Sequence, residues 1–85
     1  MDIRVEVKRL LDDILHLEGR SAAFSDDTVL MGALPELDSM AVVALIAGFE
    51  DRFGFVIDDD EIDGSIFATL GDLTEFVAGK VSAAA

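Results

Sequence analysis

The sequence predicts an all-α fold, a small bundle of three long helices and one short helix with a long loop between the first two. Apolar residues recur at three- and four-residue spacing in three separate windows, the pattern that lays them along one helix face. The one short apolar run that reads as a strand, Phe53 to Ile57, has no second strand signal to pair with, so it is expected as a packed connection. A chain of 85 residues with a hydrophobic fraction of 52% supplies one core, and residues 1–85 read as a single domain.

In the first window Ile3, Val7, Leu10, Leu11, Ile14 and Leu17 share a face, while Arg4, Lys8, Arg9, Asp12 and Asp13 fall largely opposite. This predicts a helix over about residues 3–17, stopped at Glu18-Gly19-Arg20 with Gly19 as the left-handed terminator. From Ser21 to Leu37 the periodicity is lost. Phe24, Val29, Leu30, Met31, Leu34 and Leu37 are nevertheless too apolar for a solvated linker, so the segment is expected to pack over the bundle. Pro35 holds Leu34 extended and bars an early start to the next helix.

Asp38 is a good N-cap, and Leu37 and Val42 stand at the two positions of a hydrophobic staple, so the second helix is expected over about 39–53. Its stripe of Val42, Leu45, Ile46, Phe49 and Phe53 is the expected core face. Met40, Val43, Ala44 and Ala47 lie elsewhere, and a second apolar face on so small a domain points to a partner. Asp58-Asp59-Asp60-Glu61-Ile62 is expected to open the short third helix, with Gly64 ending it. Thr69 and Asp72 form a capping-box-like pair before Leu73, Phe76, Val77 and Val81, which predicts a last helix over about 70–81 and a frayed 82–85.

Charge narrows the partners. Eighteen acidic and six basic residues give a formal net charge of -12, which repels phosphate backbones and anionic lipid surfaces and steers the chain toward basic patches on other proteins. Nucleic acid is excluded as a partner, no stretch approaches the ~20 apolar residues of a membrane span, and Met1-Asp2-Ile3-Arg4 does not begin a signal peptide. The lack of cysteine suits a reducing, cytoplasmic setting, and a monomer is expected.

Candidate chemistry centres on Ser39. As the first helical residue it stands near unsatisfied amides and the positive end of the helix dipole, where a phosphate ester is favoured by ~0.3–1 kcal/mol, partly offset by the neighbouring Asp38. An Asp-Ser pair at a helix start is ordinary capping when it stands alone. A Ser/His/Asp hydrolase is a poor fit, because His16 falls at the end of the first helix and no glycine-flanked elbow surrounds Ser39. Asp59, Glu61, Asp63 and Gly64 follow the first positions of a calcium loop, but Leu70 stands where the bidentate Glu belongs, so no dedicated metal site is expected, only loose divalent binding to the acids at most. Phe49, Phe53, Phe55, Phe67 and Phe76 are expected mainly as core.

The pair does not stand alone. The run Leu37-Asp38-Ser39-Met40 continues through Val42, Val43, Leu45, Ile46 and Phe49 to Glu50-Asp51-Arg52-Phe53-Gly54, and the chain resembles the acyl carrier protein family from Val7-Lys8-Arg9-Leu10-Leu11 to Phe67-Ala68-Thr69-Leu70-Gly71-Asp72-Leu73. The resemblance implies a non-enzymatic carrier in which Ser39 bears 4′-phosphopantetheine through a phosphodiester, with Asp38 and Met40 as the flanking motif. It further implies a phosphopantetheinyl transferase, acyl-loading and acyl-transfer enzymes as partners, and a place in lipid or polyketide biosynthesis. Those enzymes are expected to dock on Met40, Val43, Ala44 and Ala47, rimmed by Glu36, Asp38, Glu50 and Asp51, through basic or apolar patches.

Ala41 and Ala44 stand where typical fatty-acid carriers place acids, which shifts recognition toward apolar contact and away from a housekeeping role. Asp38 in place of glycine favours an acyl over a peptidyl carrier. A narrower similarity links Leu34 to Val43, Asp58 to Asp63 and Phe67 to Leu70 with specialised stand-alone carriers of exosortase and exopolysaccharide systems. The competing readings are a peptidyl carrier and an acidic helical interaction module that carries no cofactor.

The charge balance makes a prediction. Raising ionic strength from low to moderate increases the melting temperature, because salt screens repulsion among the 18 acids; a flat or falling response in calorimetry contradicts it.

Overall fold

Asp2 starts the first helix, its side chain accepting the Val5 N–H at 3.3 Å. The computed structural model describes residues 2–84, and its order is α1 (Ile3–Leu15), a 3₁₀ turn (Arg20–Ala23), α2 (Ser39–Phe53), two further 3₁₀ turns (Asp59–Glu61 and Gly64–Phe67) and α3 (Leu70–Ala84). The all-helical prediction holds. Among the described residues no strand forms, and the only bridge pairs Val29 with Thr69.

α1 ends at Leu15, earlier than its apolar period suggests. His16 takes the left-handed conformation at φ 56°, and both its N–H and that of Leu17, the latter at 3.1 Å, point to the Asp12 carbonyl. The reason is burial: reversing the chain at His16 drops Leu17 fully into the core, a gain that outweighs a non-glycine residue at positive φ. Gly19, the expected terminator, instead precedes the Arg20–Ala23 turn at φ 87°. That turn is fastened by Asp12, whose carboxylate accepts the Ser21 hydroxyl and, at 3.3 Å, the Ser21 N–H.

The long loop is bound by its backbone to the entry of α3. Leu30 N–H donates to Ala68 O at 2.9 Å and Met31 N–H to Phe67 O at 3.0 Å; in return Leu70 N–H reaches Thr28 O at 3.0 Å and Gly71 N–H reaches Asp26 O at 2.9 Å. The loop carbonyls thus satisfy amides that a helix start leaves without partners. Thr69 Oγ1 takes the next one, from Asp72 at 3.1 Å, as its capping position predicts. Gly71 is needed for this approach, since a Cβ there would lie 3.0 Å from the Asp26 carbonyl oxygen. Leu30 and Leu37 are buried beneath the loop, and Phe24 and Leu34 pack against the core.

α2 occupies the predicted span, with Leu45 and Phe49 buried and Val42, Ile46 and Phe53 packed beside them. Gly48 sets the distance to α1: a Cβ would sit 2.7 Å from Ile14 Cδ1 and 3.1 Å from Leu10 Cδ2. Glu6, buried on α1, pairs with Arg52 near the end of α2 and with Arg9 at 3.2 Å. Beyond Gly54, at φ 76°, the connection alternates as an extended segment, with Phe55 and Ile57 inside and Val56 outside.

The expected short third helix is corrected to two single 3₁₀ turns, so three α-helices, not four helices, make the bundle. Asp63 is the cause. Its carboxylate takes the Ser65 N–H at 2.9 Å, a local bond that competes with helix continuation, and Gly64 opens the second turn instead of closing the first. Glu61 closes back on the Asp58 N–H at 2.8 Å and holds Lys80 of α3 at 2.9 Å; these bonds, Lys80 first, keep its carboxyl below the ordinary glutamate range. α3 continues past the expected end at 81 to Ala84, while Ala85 lies outside the described residues.

If the loop is structural, truncating its buried anchor is costly: Leu30→Ala lowers unfolding free energy by about 2–5 kcal/mol, whereas Met31→Ala, at a neighbouring exposed side chain, changes it little. Denaturant titration of the two variants checks the contrast.

Candidate functional site

The start of α2 is built from the residues that precede it. Leu37 is buried under the helix, Asp38 is extended at φ -106° and ψ -176°, and its Oδ1 accepts the Ala41 N–H at 2.8 Å. The Asp38 carbonyl begins the helical ladder by accepting Val42 N–H at 3.0 Å. Ser39 is therefore the first helical residue. Its side chain is exposed, and among the described residues no side-chain hydrogen bond engages its hydroxyl.

Around it the surface is apolar. Met40 is 76% exposed and Val43 64%, Ala44 and Ala47 are exposed beside them, and the first turn of α2 contains no acid. Of the four residues expected to rim this face, three spend a carboxylate oxygen on the protein itself. Glu36 pairs with Arg20, and its carboxyl is held below the ordinary glutamate range by its own backbone amide first and by that guanidinium second. Asp38 caps the helix, and Glu50 accepts the Ile57 N–H at 2.8 Å. Asp51 alone is exposed without such a bond among the described residues.

The other candidates make no bond to this serine. His16 is exposed at the C-terminal end of α1, as its position in the sequence predicts, and among the described residues no hydrogen bond joins it to Ser39. The acids of the calcium-like stretch are used locally, Glu61 on Lys80 and Asp63 on Ser65, and among the described residues no group of three or more metal-binding side chains is placed to hold an ion. No helix among the described residues is long and apolar enough to cross a membrane.

An exposed hydroxyl on the first turn of a firmly capped helix, ringed by apolar side chains, fits covalent modification by an outside enzyme better than chemistry of its own. No protein-family model matches the chain. Two curated relatives, the acyl carrier protein of Sinorhizobium fredii (strain NBRC 101917 / NGR234) and the acyl carrier protein AcpP of Rhizobium meliloti (strain 1021), are each 35% identical to it over 80 residues, spanning 89% of this chain and 91% of theirs. The chain belongs to the acyl carrier protein family. The fold agrees: a holo acyl carrier protein from Nitrosomonas europaea, solved by NMR, superposes with a TM-score of 0.88 at 45% identity, covering 96% of this chain and 99% of that one. An acyl carrier is not an enzyme.

Two features of this carrier escaped the sequence. The Arg20–Glu36 pair joins residues sixteen positions apart, a separation no local pattern marks. Val56 was read as part of a packed connection, yet it is 71% exposed; the alternation of Phe55, Val56 and Ile57 was the available signal.

The cap makes a prediction. Asp38→Ala removes the acceptor for Ala41 N–H and lowers stability by about 0.5–2 kcal/mol, whereas Asp38→Asn keeps most of it; thermal melts of both variants distinguish lost capping from lost charge.

Proposed function

We propose that Ser39 is the attachment point of 4′-phosphopantetheine and that the chain presents a tethered acyl group to enzymes docking on α2. The observation that carries this reading is the exposed Ser39 side chain at the first turn of α2, with Asp38 holding the helix start in place. Bound there through a phosphodiester, the group supplies a terminal thiol on which an acyl chain is held as a thioester.

The chain's own residues position and expose. Asp38 and Leu37 fix where the helix begins, so the Ser39 oxygen stands at a defined place on the surface. No carboxylate or imidazole hydrogen-bonds that oxygen among the described residues, so a phosphopantetheinyl transferase using coenzyme A brings its own base. Met40, Val43, Ala44 and Ala47 give that transferase, and the acyl-loading and acyl-transfer enzymes after it, a dry patch against which to seat. Glu36, Asp38, Glu50 and Asp51 border the patch. Confinement of the arm to one docked enzyme raises the acyl group's effective concentration there. A chain free of cysteine suits the reducing cytoplasm as its place of work.

Incubation with coenzyme A, magnesium and a broad-specificity phosphopantetheinyl transferase adds one phosphopantetheine, seen by intact-protein mass spectrometry, and Ser39→Ala abolishes the addition. An unmodified wild type, or an addition that persists in Ser39→Ala, overturns the assignment.

A further inference from the structure

On the assumption that Ser39 is the modified residue, we infer that Val56 extends the docking face of α2 and that this face is electrically polarised along its length. Glu50 follows Val43 by seven residues, which places it within about 20° of the same line on the helix surface. Its carboxylate holds the Ile57 N–H at 2.8 Å, so the segment that turns back at Gly54 runs beside that line. Phe55 supports the placement, its ring stacked on that of Phe53 at 5.9 Å between centroids. Val56 projects between two buried neighbours and is 71% exposed, comparable to Met40 at 76% and Val43 at 64%. These three are the most exposed of the large apolar side chains, and the Glu50–Ile57 bond sets the segment carrying Val56 beside the line on which Val43 lies.

The two ends of that face differ in charge. At the Ser39 end the first turn carries no acid, and Glu36 is neutralised by Arg20. At the Val56 end Asp51, Asp58, Asp59 and Asp60 are all exposed, and none forms an ion pair among the described residues. The nearby cations are already engaged, Arg52 by Glu6 and Lys80 by Glu61. The matching partner is an enzyme with an apolar rim where it receives Ser39 and a lysine or arginine cluster about 18 Å away, the rise of the helical residues from Ser39 to Asp51. Apolar contact supplies the seat; the distant charges set which way round the carrier lies.

The test measures steady-state modification of the apo chain by the same transferase and coenzyme A. Val56→Arg raises KM for the chain about tenfold, with kcat and melting temperature unchanged, because it removes an apolar contact and opposes the partner's cations. Asp59→Asn with Asp60→Asn, at side chains that make no hydrogen bond among the described residues, raises KM about threefold and flattens its dependence on salt. Val5→Arg, at an exposed position on α1, leaves KM unchanged. A Val56→Arg KM within about twofold of wild type overturns the inference even when Ser39 is modified normally. Failure of the wild type to be modified at all removes the Ser39 assignment and this inference together.

Discussion

The backbone pairing between loop residues 26–31 and the entry to α3 is the constraint from which the rest of the architecture follows. A loop of this length gains little order from propensity, and burying it without partners would strand amides and carbonyls in the core. Here four cross-connections, to the carbonyls of Phe67 and Ala68 and from the amides of Leu70 and Gly71, do two jobs at once. They satisfy the start of α3 and they hold Leu30 in the interior. With Leu30 fixed, the short turns that bond Leu34 N–H to Leu30 O and Leu37 N–H to Leu34 O, each at 3.0 Å, carry the chain to a buried Leu37. Ser39 is exposed because the residue two positions earlier is not.

Acidic side chains at the site are fasteners first. Glu36, Asp38 and Glu50 each hold a neighbouring cation or amide, so the surface around the serine is less bristling with carboxylates than its composition suggests. Exposed charge collects instead at the other end of α2 and in the stretch after Ile57. A net charge of -12 therefore describes the field at long range, while the surface beside the serine is made of exposed apolar side chains.

The extent of α2 was legible because its signals are local: Pro35 bars an early start, Asp38 caps, and the apolar stripe runs unbroken to Phe53. The serine's exposure was legible for the same reason. The end of α1 was not, because Leu17 fits the helical period equally well as a last helical residue or as the first buried residue after a reversal, and tertiary burial decides between them. The acids after Ile57 looked like a helix start, and they do begin a turn. What ends it is the pull of Asp63 on one amide, a competition that composition does not reveal. Likewise Glu50 was visible as a charge, but not as the clamp on Ile57, since its partner is a backbone group whose position depends on the turn at Gly54.

The glycine at position 48 has a mechanical consequence. With Leu10 and Ile14 seated where a side chain would otherwise stand, α1 and α2 behave as one plate, and prising them apart opens a void that nothing fills. The opposite wall is assembled from single turns, with α3 resting on α1 and on the Gly64–Phe67 turn. The plate that bears the serine is thus helix seated directly on helix, whereas the wall facing it is joined through short turns.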